Sequence, residues 1–176
     1  MTALAYVMGD GRGAVDRLLA EVANALLAEG RDLAGVVQIN TETAATLRCD
    51  MDLQVLGEAT QVRISQRLGN QAQGCRLDPQ GLEDAVGQVE ASLPGKDLLL
   101  VNKFGKTEGE GRGFRPVIAQ ALALEIPVVV GLNSDNLAGF QAFAEGLAMP
   151  LEASQPQILA WCRAQMGSRV RSLGNP

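Results

Sequence analysis

The sequence predicts a three-layer α/β domain: a mostly parallel sheet, helices on both faces, and an antiparallel β-hairpin insert in the middle of the chain. Three observations carry this. Short, continuously apolar runs ("ALAYVMG", "DLAGVVQIN", "DLLLVNK", "IPVVVGLN") read as strands buried on both faces. Helical apolar spacing follows the first run, after a glycine turn. Between the second and third runs the pattern changes to strict apolar/polar alternation.

The elements follow in order. In "AVDRLLAEVANALLAEG" Val15, Leu18, Leu19, Val22, Leu26 and Leu27 recur at helical spacing, and Gly30 supplies the stop. "TLRCDMDLQVLG" and "TQVRISQRLG" alternate around Gly57-Glu58-Ala59 and predict the hairpin. Asp78-Pro79 then offers a cap and a first helical residue. Further helices are expected over 114–125, 135–147 and 156–166, with a frayed tail over 167–176. A chain of 176 residues is expected to form one domain, here residues 1–166.

Composition excludes several classes of function. No apolar run approaches the ~20 residues of a membrane span, and "MTALAYVMGD" lacks a basic leader, so a cytoplasmic protein is expected. A net charge of -5 argues against nucleic-acid binding. Arg163, Arg169 and Arg171 read as a helix end and solvated tail. The absence of histidine removes Ser-His-Asp and Cys-His catalysis and His-containing metal sites. Cys49, Cys75 and Cys162 form no CxxC pair, so neither a disulfide framework nor a structural zinc site is expected. In "RCDMDL" Cys49 and Met51 share a strand face away from Asp50 and Asp52, which reads as core packing against solvent rather than as a metal centre.

Two glycine-rich segments compete as an anion site. "GKT" at Gly105-Lys106-Thr107 imitates the end of a phosphate-binding loop, but the opening glycine of G-x-x-x-x-G-K-[ST] would fall on Leu100, inside a strand. The right topological place is the first strand-to-helix turn, where Gly9, Gly11 and Gly13 allow backbone approach and the helix N-terminus favours an anion. Ala14 and Val15 stand there where Lys and Ser/Thr are needed. A tight turn without ligand is the competing reading. The loop after "LLLVN" leaves the carboxyl end of an inner strand, the ligand side of open α/β sheets. Lys103, Gly105, Lys106, Arg112 and Arg115 offer charge and backbone access there, with Arg12 in the first loop. Glu108 and Glu110 are candidate acid/base or cation-holding groups. The alternative is a mobile, solvated loop whose charges pair. All three lysines, Lys96, Lys103 and Lys106, lie in or near this loop.

The phrases "LLVNKFGKTEGEGRGF", "CRLDP" and "CDMDL" resemble a bacterial domain-of-unknown-function family often encoded beside molybdate-transport or nitrogenase genes. That family is in turn similar to thermophile-type nucleoside-triphosphatases of the P-loop class. The resemblance implies a P-loop-NTPase-like fold, with the Walker A loop on residues 9–15, the Walker B acids on Asn102 and Lys103, and "GKME" on Gly105, Lys106, Thr107 and Glu108. The Walker lysine and both Walker B acids are thus replaced. The expectation is a degenerate nucleotide-binding domain acting as a sensor or accessory factor, with Mg²⁺ accompanying a nucleotide. Three rivals stand: an active nucleoside-triphosphatase with altered residues, a molybdate or tungstate oxyanion-handling protein, and an interaction module without a small ligand.

Overall fold

The computed structural model describes residues 3–9, 13–43, 48–58, 60–66 and 76–167; the side chains of 41–43, 48–50, 66 and 76 are outside that description. Of the tail expected over 167–176, Gly167 is the last residue of the final helix, and 168–176 lie outside the described residues with Gly11, Arg12, Cys75 and the Cys49 side chain.

Strand β1 (Leu4–Met8) leads into helix α1 (Ala14–Ala28), and β2 (Leu33–Thr43) returns. β3 (Arg48–Val55) and β4 (Gln61–Arg63) follow, then a small ladder of β5 (Ser65–Gln66) and β6 (Arg76–Leu77). Helix α2 (Pro79–Ser92) starts where the sequence places it, with the Asp78 carboxylate accepting from Gln80 N–H at 3.0 Å. β7 (Leu98–Phe104), a short helix α3 (Lys106–Gly109), α4 (Arg115–Ala123) and β8 (Val128–Leu132) come next. The chain continues through α5 (Leu137–Ala144), β9 (Ala148–Leu151) and α6 (Gln155–Gly167). Among the described residues no helix is long and apolar enough to cross a membrane.

Among the described residues the main sheet has seven strands in the order β4-β3-β2-β7-β8-β1-β9. β2, β7, β8, β1 and β9 are mutually parallel, so their carboxyl ends, and the loops that leave them, gather on one edge. The antiparallel part is central in the chain but peripheral in the sheet: β3 pairs with β2 and β4 with β3, extending one side. The reason is the alternation the sequence shows, which suits strands covered on one face only.

Inner strands alternate between two apolar layers. Leu99 and Val101 of β7 and Val128 and Val130 of β8 pack with α2, α4 and α5 residues such as Val86, Ile118 and Phe140. Leu98, Leu100 and Val129 pack with Val15, Leu19, Val22 and Leu26 of α1 and Ile158 and Cys162 of α6. Burial on both faces is why these strands read as unbroken apolar runs. It also makes the Cys162 thiol inert, since burial pushes its pKa up to about 12.

Two expectations are corrected. The helix predicted over 135–147 ends at Ala144, and Ala148–Leu151 forms the edge strand β9. Glu145 and Gly146 take positive φ of 48° and 81°, stopping α5 early, and Pro150 sits on an edge strand, where a missing N–H is tolerated. The loop after β7 also contains α3, which sequence periodicity cannot reveal in four residues.

Candidate functional site

The parallel sheet brings both glycine-rich segments to its carboxyl edge. β1 ends at Met8 and β7 at Phe104, with β8 between them, so the two loops stand two strand spacings apart, ~9.5 Å. In the first turn, Gly13 is the residue before α1 and takes φ +75°, a left-handed conformation that glycine adopts freely. Gly9 is needed for a different reason: a Cβ there would stand 2.8 Å from Val15 Cγ2. An open groove of about 380 Å³ lies over this turn, lined by Gly9, Ala14, Val15, Arg17, Leu18, Glu21 and Ala153.

Beneath α1 the packing is close. A Cβ at Gly131 of β8 would meet Leu19 Cδ1 at 2.5 Å, Asn102 Oδ1 at 3.0 Å and Val15 Cγ1 at 3.1 Å. Asn102 therefore faces the first turn of α1. It is fully buried, and neither Nδ2 nor Oδ1 has a hydrogen-bond partner. A buried carboxamide so placed costs stability unless something pairs with it. Directly after it the β7/β8 register slips: Asn102 pairs with Gly131 and Phe104 with Leu132, leaving Lys103 as the extra residue of a bulge. Bulges re-aim side chains and are frequent beside functional sites. This one lets Asn102 face α1 while Phe104 enters the opposite layer. Among the described residues Lys103 and Lys106 take part in no ion pair.

The rest of the loop departs from the solvated alternative at Glu108 and matches it at Glu110 and Arg112. Glu108 is buried, and its two carboxylate oxygens accept from Gly105 N–H at 3.0 Å and Phe114 N–H at 3.3 Å. One side chain thus ties both ends of the segment 105–114. Gly113, with φ +61°, has no room for a Cβ, which would lie 2.5 Å from Glu108 Oε1. Burial raises the Glu108 pKa, against the opposing effect of the two N–H donors. Glu110 pairs with Arg112 on the exposed side. Arg115 stacks its guanidinium 5.1 Å from the Phe143 ring centre and donates to the Gly109 carbonyl at 3.4 Å. Glu108, Glu110, Arg112 and Arg115 therefore all have structural partners, while Gly9, Gly13, Lys103, Gly105 and Lys106 share the open edge.

Asp16 and Arg17 escape the sequence reading, and Asn102 enters it without its burial. Asp16, in the first turn of α1, is buried and accepts from Asn40 Nδ2 at 2.7 Å, and Asn40 Oδ1 accepts from Gln38 at 2.8 Å. Its only sequence signal is the preference for acids near helix N-termini. Arg17 lines the groove, its Nη1 3.8 Å from where a Gly13 Cβ would be. It stands one turn beyond Gly13, outside the Walker spacing, so motif reading passes over it. Asn102 is visible in sequence only as a replaced acid. Among the described residues no group of three or more Cys, Asp or Glu is arranged to hold a metal ion.

Comparisons with known proteins agree with this architecture. The family described as a protein of unknown function (DUF2478) matches residues 4–161. The molybdenum import ATP-binding protein ModC 2 of Bradyrhizobium diazoefficiens is 34% identical over 160 residues, covering 90% of this chain but only 18% of that protein. The solution structure of a human cancer-related nucleoside triphosphatase superposes with a TM-score of 0.62 at 13% identity, covering 99% of this chain and 100% of that one. THEP1 from the hyperthermophile Aquifex aeolicus gives 0.59 at 14% identity, covering 88% and 91%. The chain shares its P-loop-NTPase-like α/β fold with these two structures.

Proposed function

The chain belongs to the DUF2478 family, and we propose that it binds a phosphate-bearing ligand, a nucleotide, at a degenerate P-loop and acts as a sensor or accessory factor. The observation that carries this reading is the shared edge. The glycine turn before α1 opens beside the groove, and Lys103, the extra residue of the bulge and in no ion pair among the described residues, lies at the same carboxyl edge two strands away. Backbone N–H groups at the turn and the α1 dipole favour an anion, and Lys103, Lys106 and Arg17 neutralise it.

Binding is better supported than hydrolysis. Ala14 and Val15 replace the lysine and hydroxyl that act on the transferred phosphoryl group. Loss of one such electrostatic contact typically costs ~10²–10³ in rate. The candidate acid/base groups are also engaged: Glu108 holds two backbone N–H groups and Glu110 holds Arg112.

A thermal-shift panel tests the reading with ATP, GTP, ADP and GDP beside molybdate, tungstate, sulfate and phosphate. A nucleotide present at ~100 times its Kd is expected to add roughly 2.7 kcal/mol to stability. Lys103→Ala is expected to shrink that shift. The name of the Bradyrhizobium relative favours a second reading, an oxyanion such as molybdate held by the same N–H groups and cations. A shift with molybdate or tungstate alone would select it. No shift with any anion would overturn both readings and leave the interaction module.

A further inference from the structure

Nucleotides at P-loop sites bring Mg²⁺, which is held by a P-loop hydroxyl and a carboxylate on a facing strand. The donors of this chain do not fit that ion. In place of the hydroxyl stand the methyl groups of Val15, packed 3.1 Å from where a Gly131 Cβ would lie. The place of the carboxylate is taken by Asn102, neutral, fully buried and without a hydrogen-bond partner. The next residue is a lysine rather than a second acid. The carboxylate in the first turn of α1, Asp16, has Oδ2 engaged by the Asn40 amide at 2.7 Å. Mg²⁺ demands near-octahedral oxygen ligands, usually one or two carboxylates with substrate phosphates. A neutral carboxamide next to an ammonium group supplies neither the charge nor a second acid.

We propose that this site binds its ligand as the metal-free anion. Arg17, which lines the groove, and Lys103, at the same carboxyl edge of the sheet, supply the counter-charge that a divalent cation supplies elsewhere. The inference rests on the phosphate-ligand reading and deepens it by naming the ligand's ionic form.

The test is calorimetric titration of ATP into the full chain, once in EDTA and once with excess Mg²⁺. Binding in EDTA is expected to be as tight as in Mg²⁺ or tighter, because chelation removes two units of the charge that Arg17 and Lys103 recognise. Lys103→Ala is expected to weaken binding in EDTA about tenfold, the loss of one charge-assisted contact. Asn102→Asp is expected to invert the dependence, binding poorly in EDTA and recovering when Mg²⁺ is added. If the buried aspartate prevents folding, the wild-type comparison and the half-buried sheet-edge variant Lys103→Ala still decide. Binding that appears only with Mg²⁺, or that falls tenfold or more in EDTA, overturns the inference and leaves the nucleotide reading standing. No ATP binding in either buffer overturns the nucleotide reading, and this inference with it.

Discussion

Gly35→Ala is expected to remove most of the stability of the fold. Gly35 lies near the start of β2, inside its ladder with β7 and opposite Leu100, with φ +117°. A side chain there faces two penalties at once. The backbone conformation is one that L-residues adopt only at a cost of about 1–3 kcal/mol. The added Cβ would also sit 1.8 Å from the Leu100 carbonyl oxygen and 2.7 Å from its carbon, and these are backbone atoms of a central strand that no rotamer change can move. Relief requires β2 and β7 to separate, which breaks the ladder that places Lys103 at the sheet edge. We expect a loss of more than about 4 kcal/mol, a large part of the 5–15 kcal/mol that holds a domain together. Urea denaturation checks this, with Gly87→Ala as its counterpart. Gly87 is exposed in the interior of α2 with nothing near its would-be Cβ, and alanine there is expected to add about 0.5–1 kcal/mol. Similar effects for the two substitutions would contradict the β2–β7 register.

Glu108→Ala is expected to open the loop after β7 and to cost roughly 2–5 kcal/mol, because two backbone N–H groups, those of Gly105 and Phe114, lose their acceptors together. Trypsin should then cut at Lys106 and Arg112 faster than in the wild type, reporting the release of 105–114 separately from global unfolding. Glu108→Gln keeps one acceptor and is expected to fall between the two. The pH dependence provides a further check with a defined sign. Burial raises the folded-state pKa of Glu108 above the ordinary 4.5, so the folded protein holds this proton more tightly than the unfolded chain. Its contribution is therefore fully present below pH 4.5 and is lost as the pH rises through the raised value. Glu108→Gln lacks that titration, so the stability of the wild type relative to this variant should decline across that interval. Parallel pH profiles would show that the carboxyl group does not titrate from this buried position.

Much of the architecture was legible because it is written in local patterns. Unbroken apolar runs marked strands buried on two faces, as Leu98–Phe104 and Val128–Leu132 are. Helical spacing located α1, and Asp78-Pro79 marked the start of α2. The "GKT" at Gly105 was recognisable as no Walker motif from spacing alone, because its opening glycine would fall inside β7. Elements with weak local signals went unseen. β9 is four residues with a proline, and α3 is a single turn.

The site divides along the same line. The sequence by itself determined that a glycine turn precedes the first helix, that Ala14 and Val15 stand where a lysine and a hydroxyl are needed, and that two of the chain's three lysines, Lys103 and Lys106, belong to a second loop. These are matters of residue identity and spacing, which need no partner in space. Tertiary structure alone decided what each charge is used for. Glu108 turns inward because two distant N–H groups need an acceptor, and Arg115 lies on Phe143 because α5 packs there. Asn102 is sealed beneath α1 because Gly131 lets that helix approach the sheet, and the bulge leaves Lys103 at the edge. Burial and pairing depend on residues far apart in the chain, so no local reading of this sequence could have assigned them.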